Sequence, residues 1–237
     1  MVLRGVAGPN PLASARRRAR VVVVLFAALV VGVLSVHVAA RAGGAQSGAC
    51  ARFAADSAAR AAQVTGSGPR VVVVGDSWSV GYGLDGPVSS WAARLPGRVR
   101  VAGFSGSGFS AGASPCDGVS FAQRAAAAVA GGADLVVVAG GLNDFDQPSA
   151  AIRLGFERLL SALAGHRVVV VGPASAPSRA GAVPRVDALL ASLAREFGVG
   201  YVRTTDLELE YLPDGLHLTP AGHRAFGDAV AARLARL

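Results

Sequence analysis

An arginine followed by four consecutive valines occurs three times in this chain, at Arg20–Val24, Arg70–Val74 and Arg167–Val171. A strand with one wet face alternates apolar and polar residues, so an unbroken valine run requires apolar surroundings on both sides. Glycine stops the second and third runs, at Gly75 and Gly172, as at the ends of strands buried in a parallel sheet. The first run instead continues as apolar sequence to Ala40. The three are therefore not structural repeats. Further strands are expected at Arg98–Ala102, Asp134–Ala139 and Gly200–Arg203, with helical patterns between them at Val88–Leu95, Ser120–Ala130, Ala150–Leu163 and Val183–Phe197. Strands that alternate with helices build βαβ units, so the expectation is an α/β protein with a doubly wound parallel sheet of about five strands. Thr219-Pro220 offers an N-cap and a first-turn proline for a last helix running to about Leu237.

Ligands of such sheets bind outside the carboxyl ends of the strands. Gly75-Asp76-Ser77-Trp78, Ser105-Gly106-Ser107-Gly108 and Gly141-Leu142-Asn143-Asp144 each follow an expected strand, and Asp214-Gly215-Leu216-His217 precedes the last helix. A serine hydroxyl is a weak nucleophile unless an imidazole takes its proton and a carboxylate holds that imidazole in the right tautomer. Ser77, His217 and Asp214 supply those three groups. A tetrahedral intermediate also needs donors aimed at its oxyanion, and glycine amides and an asparagine side chain are such donors. Each segment alone has a plainer reading. Gly-Asp-Ser could be an Asx turn starting a helix, Asn143 a turn residue, and Asp144 the cap of the next helix. Asp76 is expected to brace its turn, His166 to lie at a strand entry, His223 to be a solvated helix residue, and Asp206, Glu208 and Glu210 to form a solvated face. The Gly-x-Gly-x-x-Gly spacing of a dinucleotide loop is absent around Gly81 and Gly83, and no Cys, His or carboxylate set has metal-ligand spacing.

The order of these blocks, Gly-Asp-Ser, then glycine, then Gly-x-Asn-Asp, then Asp-x-x-His, resembles the SGNH superfamily of GDSL-type esterases and lipases from about Arg70 to Leu237. The chain departs from that pattern at Trp78, where leucine is usual, and in its second block, which lacks the asparagine that often precedes the glycine. The resemblance implies a flavodoxin-like sheet flanked by helices and an acyl-serine mechanism. Ser77 would be the nucleophile, His217 the base and Asp214 its orienting acid. The oxyanion hole would comprise the Ser77 and Gly106 amides and the Asn143 side chain, with Gly108 as the alternative glycine. It implies no cofactor and no metal.

Val21–Ala40 holds no charged residue over a length that crosses a bilayer as a helix. Arg16, Arg17, Arg18 and Arg20 precede it and only Arg41 follows closely, which places the N-terminus in the cytoplasm and the rest outside. The expected organisation is a basic cytoplasmic N-terminus (1–20), a transmembrane signal anchor or signal peptide (21–40), a linker or stalk with a possible helix (41–69), and a hydrolase domain (70–237). The domain would thus lie on the outer side of the cell membrane, single-pass, or be secreted if the span is cleaved. The formal charge of +8 points to nucleic acid only until it is located. Five of the arginines precede the span, there is no basic stripe with interleaved aromatics, and no nucleic-acid partner is expected. Cys50 and Cys116 both fall on the outer side, where a disulfide between them is favoured over free thiols or a lipid on Cys50.

The function expected is that of an extracytoplasmic serine esterase, monomeric, acting on a small-molecule, glycan or lipid ester. The alternatives are an O-acyltransferase or deacetylase of envelope glycans, and an inactive envelope-binding module that keeps the fold.

Overall fold

The second and third valine runs lie inside a six-stranded sheet in the computed structural model of the chain, which describes residues 46–86 and 89–237. The strands are β1 (Val64–Thr65), β2 (Arg70–Gly75), β3 (Arg98–Gly103), β4 (Leu135–Ala139), β5 (Val168–Val171) and β6 (Gly200–Val202). Their order across the sheet is β1-β3-β2-β4-β5-β6. All neighbours from β3 to β6 pair in parallel, as the βαβ pattern requires. Strand β1 pairs antiparallel with β3, Val64 opposite Arg100 and Thr65 opposite Val99. This sixth, two-residue strand carries no alternation or apolar run that would mark it, and it lies where the sequence reads as helix and linker.

Successive valines of these two runs serve opposite faces. Val71, Val73, Val169 and Val171 join Trp78, Trp91, Phe226 and Val230 on one side. Val72, Val74, Val168 and Val170 join Phe109, Phe121, Ile152, Phe156 and Leu190 on the other. Full burial of a valine side chain stabilises by on the order of 1.5 kcal/mol, which is why no polar residue interrupts these strands. The helices covering the two faces are α1 (46–61), α2 (Ser77–Val80), α3 (Phe121–Val129), α4 (Ser149–Ala162), α5 (Val183–Glu196) and α6 (Pro220–Leu234). Thr219 caps α6 by accepting from the Gly222 amide at 3.1 Å.

Of Val88–Leu95, expected to be helical, the described residues form only a 3-10 turn at Trp91–Arg94. Pro96 disfavours the helical region for Leu95, which is extended (φ −71°, ψ 142°), so the turn ends at Arg94. Residues from Ala49 on form one compact unit. Within it, α1 is joined to the loop after β3 by the Cys50–Cys116 disulfide, with 5.7 Å between the Cα atoms. The Ser57 hydroxyl adds a hydrogen bond to the Gly103 carbonyl (2.6 Å), and Phe53 meets Phe104 edge-on. Val21–Ala40 and the arginines before it lie outside the described residues. Among the described residues no helix is long and apolar enough to cross a membrane.

Candidate active site

Helix α2 begins as soon as β2 ends, and two residues make that possible. Asp76 is its N-cap, accepting from the Trp78 amide at 3.0 Å. Gly75 has no Cβ, which would stand 2.1 Å from the Ser79 hydroxyl. Ser77 is therefore the first residue of the helix, at the carboxyl edge of the sheet, with its amide unused by any acceptor among the described residues.

The imidazole of His217 reaches it from the other end of the chain, with Nε2 3.2 Å from Ser77 Oγ. Nδ1 of the same ring lies 2.6 Å from Asp214 Oδ2. The other carboxylate oxygen of Asp214 accepts from the Leu216 and His217 amides, each at 2.9 Å. Partial desolvation pushes the Asp214 carboxyl up, but the His217 ring and the two amides outweigh it and hold it at about 2. The three-residue spacing thus closes one turn that carries both the acid and the imidazole.

The second and third blocks are fastened to the same edge. The Phe104 amide and the Ser107 hydroxyl both donate to the Gly75 carbonyl, at 3.0 and 3.3 Å. Asn143 donates one N–H of its side chain to the Ser107 carbonyl at 2.9 Å, leaving the other without a protein acceptor among the described residues. Gly106 and Gly108 differ in kind. Gly106 is half-buried at φ +81°, and a Cβ there would meet only the Ser114 hydroxyl at an ordinary 3.8 Å, whereas a Cβ on buried Gly108 would stand 2.5 Å from Asp144 Oδ2. Gly108 is thus a close-packing glycine and Gly106 one required by its backbone conformation, and neither amide donates to a backbone acceptor among the described residues.

Asp144 is not the cap of the following helix. It is fully buried and accepts from the Phe109 and Ser110 amides at 3.0 and 2.8 Å, which pins the glycine loop to the asparagine block. Burial pushes its carboxyl up to about 6, against those two amides. Burial likewise pushes Asp76 up to about 7, with the Trp78 amide opposing, Asp144 adding and Arg124 opposing. Arg124 of α3 donates to the Gly75 carbonyl and to the Ser107 hydroxyl, both at 2.9 Å, and also to the Ala102 carbonyl. Sequence reasoning passed over it. The available signal was a lone cation in an alanine-rich helix. Tyr82 was missed as well: its half-exposed ring lies over that of His217 with 4.4 Å between centroids.

His223 is not solvated, as its place on a helix suggested. It is 1% exposed, its Nδ1 accepts from the Trp91 amide at 3.3 Å, and its Nε2 has no hydrogen-bond partner among the described residues. Burial lowers it to about 4, with His217 adding to the effect, so it stays neutral. Asp206, Glu208 and Glu210 are exposed and alternate with half-buried Leu207 and Leu209, and Asp206 pairs with Arg233. Among the described residues no group of His, Cys, Asp or Glu is arranged to hold a metal ion.

Residues 73–225 match the GDSL-like lipase/acylhydrolase family. No curated protein matches the sequence. Solved structures with the same fold include a carbohydrate acetylesterase from Sinorhizobium meliloti, at 19% identity and a TM-score of 0.61 over 71% of this chain and 99% of that one. The inhibitor-bound aryl esterase of M. smegmatis is similar at 19% identity and a TM-score of 0.59, over 72% of this chain and 100% of that one. A carbohydrate acetylesterase family member, also from Sinorhizobium meliloti, reaches 22% identity and a TM-score of 0.57, over 71% and 98%.

Proposed function

The chain belongs to the GDSL-like lipase/acylhydrolase family and is an ester-hydrolysing enzyme, and on that premise we propose that it works outside the cytoplasm through an acyl-Ser77 intermediate. The observation that carries this reading is the unbroken relay from Ser77 Oγ through His217 to Asp214, at 3.2 and 2.6 Å. Ser77 Oγ attacks the ester carbonyl while His217 Nε2 takes its proton. Asp214 keeps the other ring proton on Nδ1 and stabilises the imidazolium. The carbonyl oxygen becomes an oxyanion, received by the amides of Ser77 and Gly106 and the uncommitted N–H of Asn143. Removing one such donor typically costs about 3 kcal/mol of transition-state stabilisation. Collapse of the intermediate expels the alcohol, which His217 protonates. Water, deprotonated by the same imidazole, then releases the acid.

The Cys50–Cys116 bridge supports an oxidising compartment, since disulfides seldom persist in the cytosol. It agrees with an export or anchor role for Val21–Ala40. The fold shared with carbohydrate acetylesterases makes a small acyl ester on a glycan the first natural substrate to try, and a sugar hydroxyl in place of water would turn the same intermediate to acyl transfer.

Turnover of p-nitrophenyl acetate with and without Ser77→Ala tests the reading. Activity should vanish in the variant, together with labelling by a fluorophosphonate. Turnover or labelling that survives Ser77→Ala would reject Ser77 as the nucleophile.

A further inference from the structure

The hydrogen bond between His217 and Asp214 lies within one turn, so it orients the imidazole without locating it relative to Ser77. The other bonds of the turn are mostly local too: Leu212 donates to the His217 carbonyl, Gly215 to that of Leu212, and Tyr211 bridges to Leu218. The Ser178 amide binds the Gly215 carbonyl at 3.0 Å, from a segment that does not carry the nucleophile. Apart from the Ser77–His217 contact itself, one side-chain hydrogen bond among the described residues ties this turn to α2. It runs from the indole N–H of Trp78 to the Leu216 carbonyl, at 3.1 Å.

We propose that Trp78 is a positioning residue, whose indole N–H holds the Asp214–His217 turn at the distance from Ser77 that proton transfer requires. Trp78 adjoins Ser77 in α2, and Leu216 adjoins His217, so one bond fixes the spacing of nucleophile and base across 138 residues of sequence. The donor is itself fixed. The indole is 6% exposed, stands edge-on to Phe226 with 5.1 Å between centroids, and is tilted against Tyr211 at 6.2 Å. A buried N–H donor so packed has little freedom to seek another partner. Tyr82 touches the ring of His217 as well, but it is 44% exposed and bears on the imidazole face and not on the backbone that carries it.

This inference rests on Ser77 and His217 acting as nucleophile and base. The test is Trp78→Phe, which keeps an aromatic ring and removes the donor. Displacements well under 1 Å at a reacting pair already cost rate, and about 1 Å costs about a hundredfold. The expected result is a fall in kcat of about tenfold with KM within about twofold, and an equal fall in the rate of fluorophosphonate labelling of Ser77. Trp91→Phe is the control, because Trp91 is buried, also stands edge-on to Phe226, and donates to Ser79 instead of to the turn. It should lower the melting temperature and leave kcat within about twofold.

Unchanged kcat in Trp78→Phe would overturn the proposal, as would parallel losses of kcat in both variants. Should Trp78→Phe fail to fold, 3-benzothienylalanine at position 78 keeps the bicyclic shape without the donor, and the same two outcomes decide. Ser77→Ala separates the failures. If it stays active the nucleophile is misassigned, whereas if it is inactive and Trp78→Phe is not impaired, only the strap is refuted.

Discussion

Asp214→Asn exchanges one carboxylate oxygen for an NH2 group in a turn where both oxygens are hydrogen-bonded. Oδ1 accepts from the Leu216 and His217 amides, and an asparagine carbonyl oxygen keeps both bonds, so the turn should survive with a stability change within about 1 kcal/mol. At the position of Oδ2, 2.6 Å from Nδ1, the variant presents an N–H donor. The imidazole must then accept at Nδ1 and carry its proton on Nε2, facing Ser77 Oγ as a donor. The base is lost by tautomer alone. The lost charge adds a smaller amount, on the order of 1–2 kcal/mol, because the Asp214 side chain is 46% exposed and water screens its attraction for the imidazolium. Together these raise the barrier by about 4 to 5 kcal/mol, a fall in kcat of about 10^3 to 10^4. KM should change little, since neither group binds the ester directly. Steady-state kinetics on p-nitrophenyl acetate, beside a melting curve, measure both quantities. The wild-type carboxyl is held at about 2, below its ordinary value of about 3.9, so its bonds contribute stability above about pH 4 and lose it only as pH falls toward 2. The ratio of wild type to variant should therefore not change through loss of the Asp214 charge between pH 5 and 9. A folded Asp214→Asn protein with kcat within tenfold of wild type would refute the assignment of Asp214 as the orienting acid.

Three further outcomes follow from the same structure. Folded Asp76 keeps its proton to about pH 7 whereas the unfolded chain releases it near pH 4, so its contribution makes stability fall as pH rises from about 4 to 7. Asp76→Asn should flatten that fall in thermal melts while Asp144, pushed up to about 6, retains part of it, and equal slopes in both proteins would exclude Asp76 as a source. Gly108→Ala should destabilise by several kcal/mol, because its Cβ meets Asp144 and Ala113, whereas Gly106→Ala costs about 1–2 kcal/mol for its positive φ alone. Denaturant melts that rank the two the other way would contradict the loop packing. Reducing Cys50–Cys116, or replacing both by serine, should cost about 4 kcal/mol for a loop of 66 residues and lower Tm by about 10 °C. A melting curve indifferent to reductant would show that the bridge is not formed in solution.

The sequence by itself determined the parallel core and the segments from which the proposed active site is built. Four β-branched residues in a row leave a strand no wet face, glycine marks where the second and third runs end, and Ser77, Gly106 and Asn143 stand just past the ends of β2, β3 and β4, where the chain must turn. The Asp-x-x-His spacing is equally local, since one turn brings both side chains together. The tertiary structure decided everything that depends on which surfaces meet. It buried His223 against Trp91, sent Asp144 to the Phe109 and Ser110 amides instead of to a helix start, and made β1 an edge strand of two residues that has no pattern of its own. It set Tyr82 on the face of His217, and gave the indole of Trp78 and the guanidinium of Arg124 their distant carbonyls. Local spacing records what a residue does to its own turn. Contacts between residues 20 to 140 positions apart arise only when the helices pack on the sheet, and a single sequence holds no periodicity that encodes them.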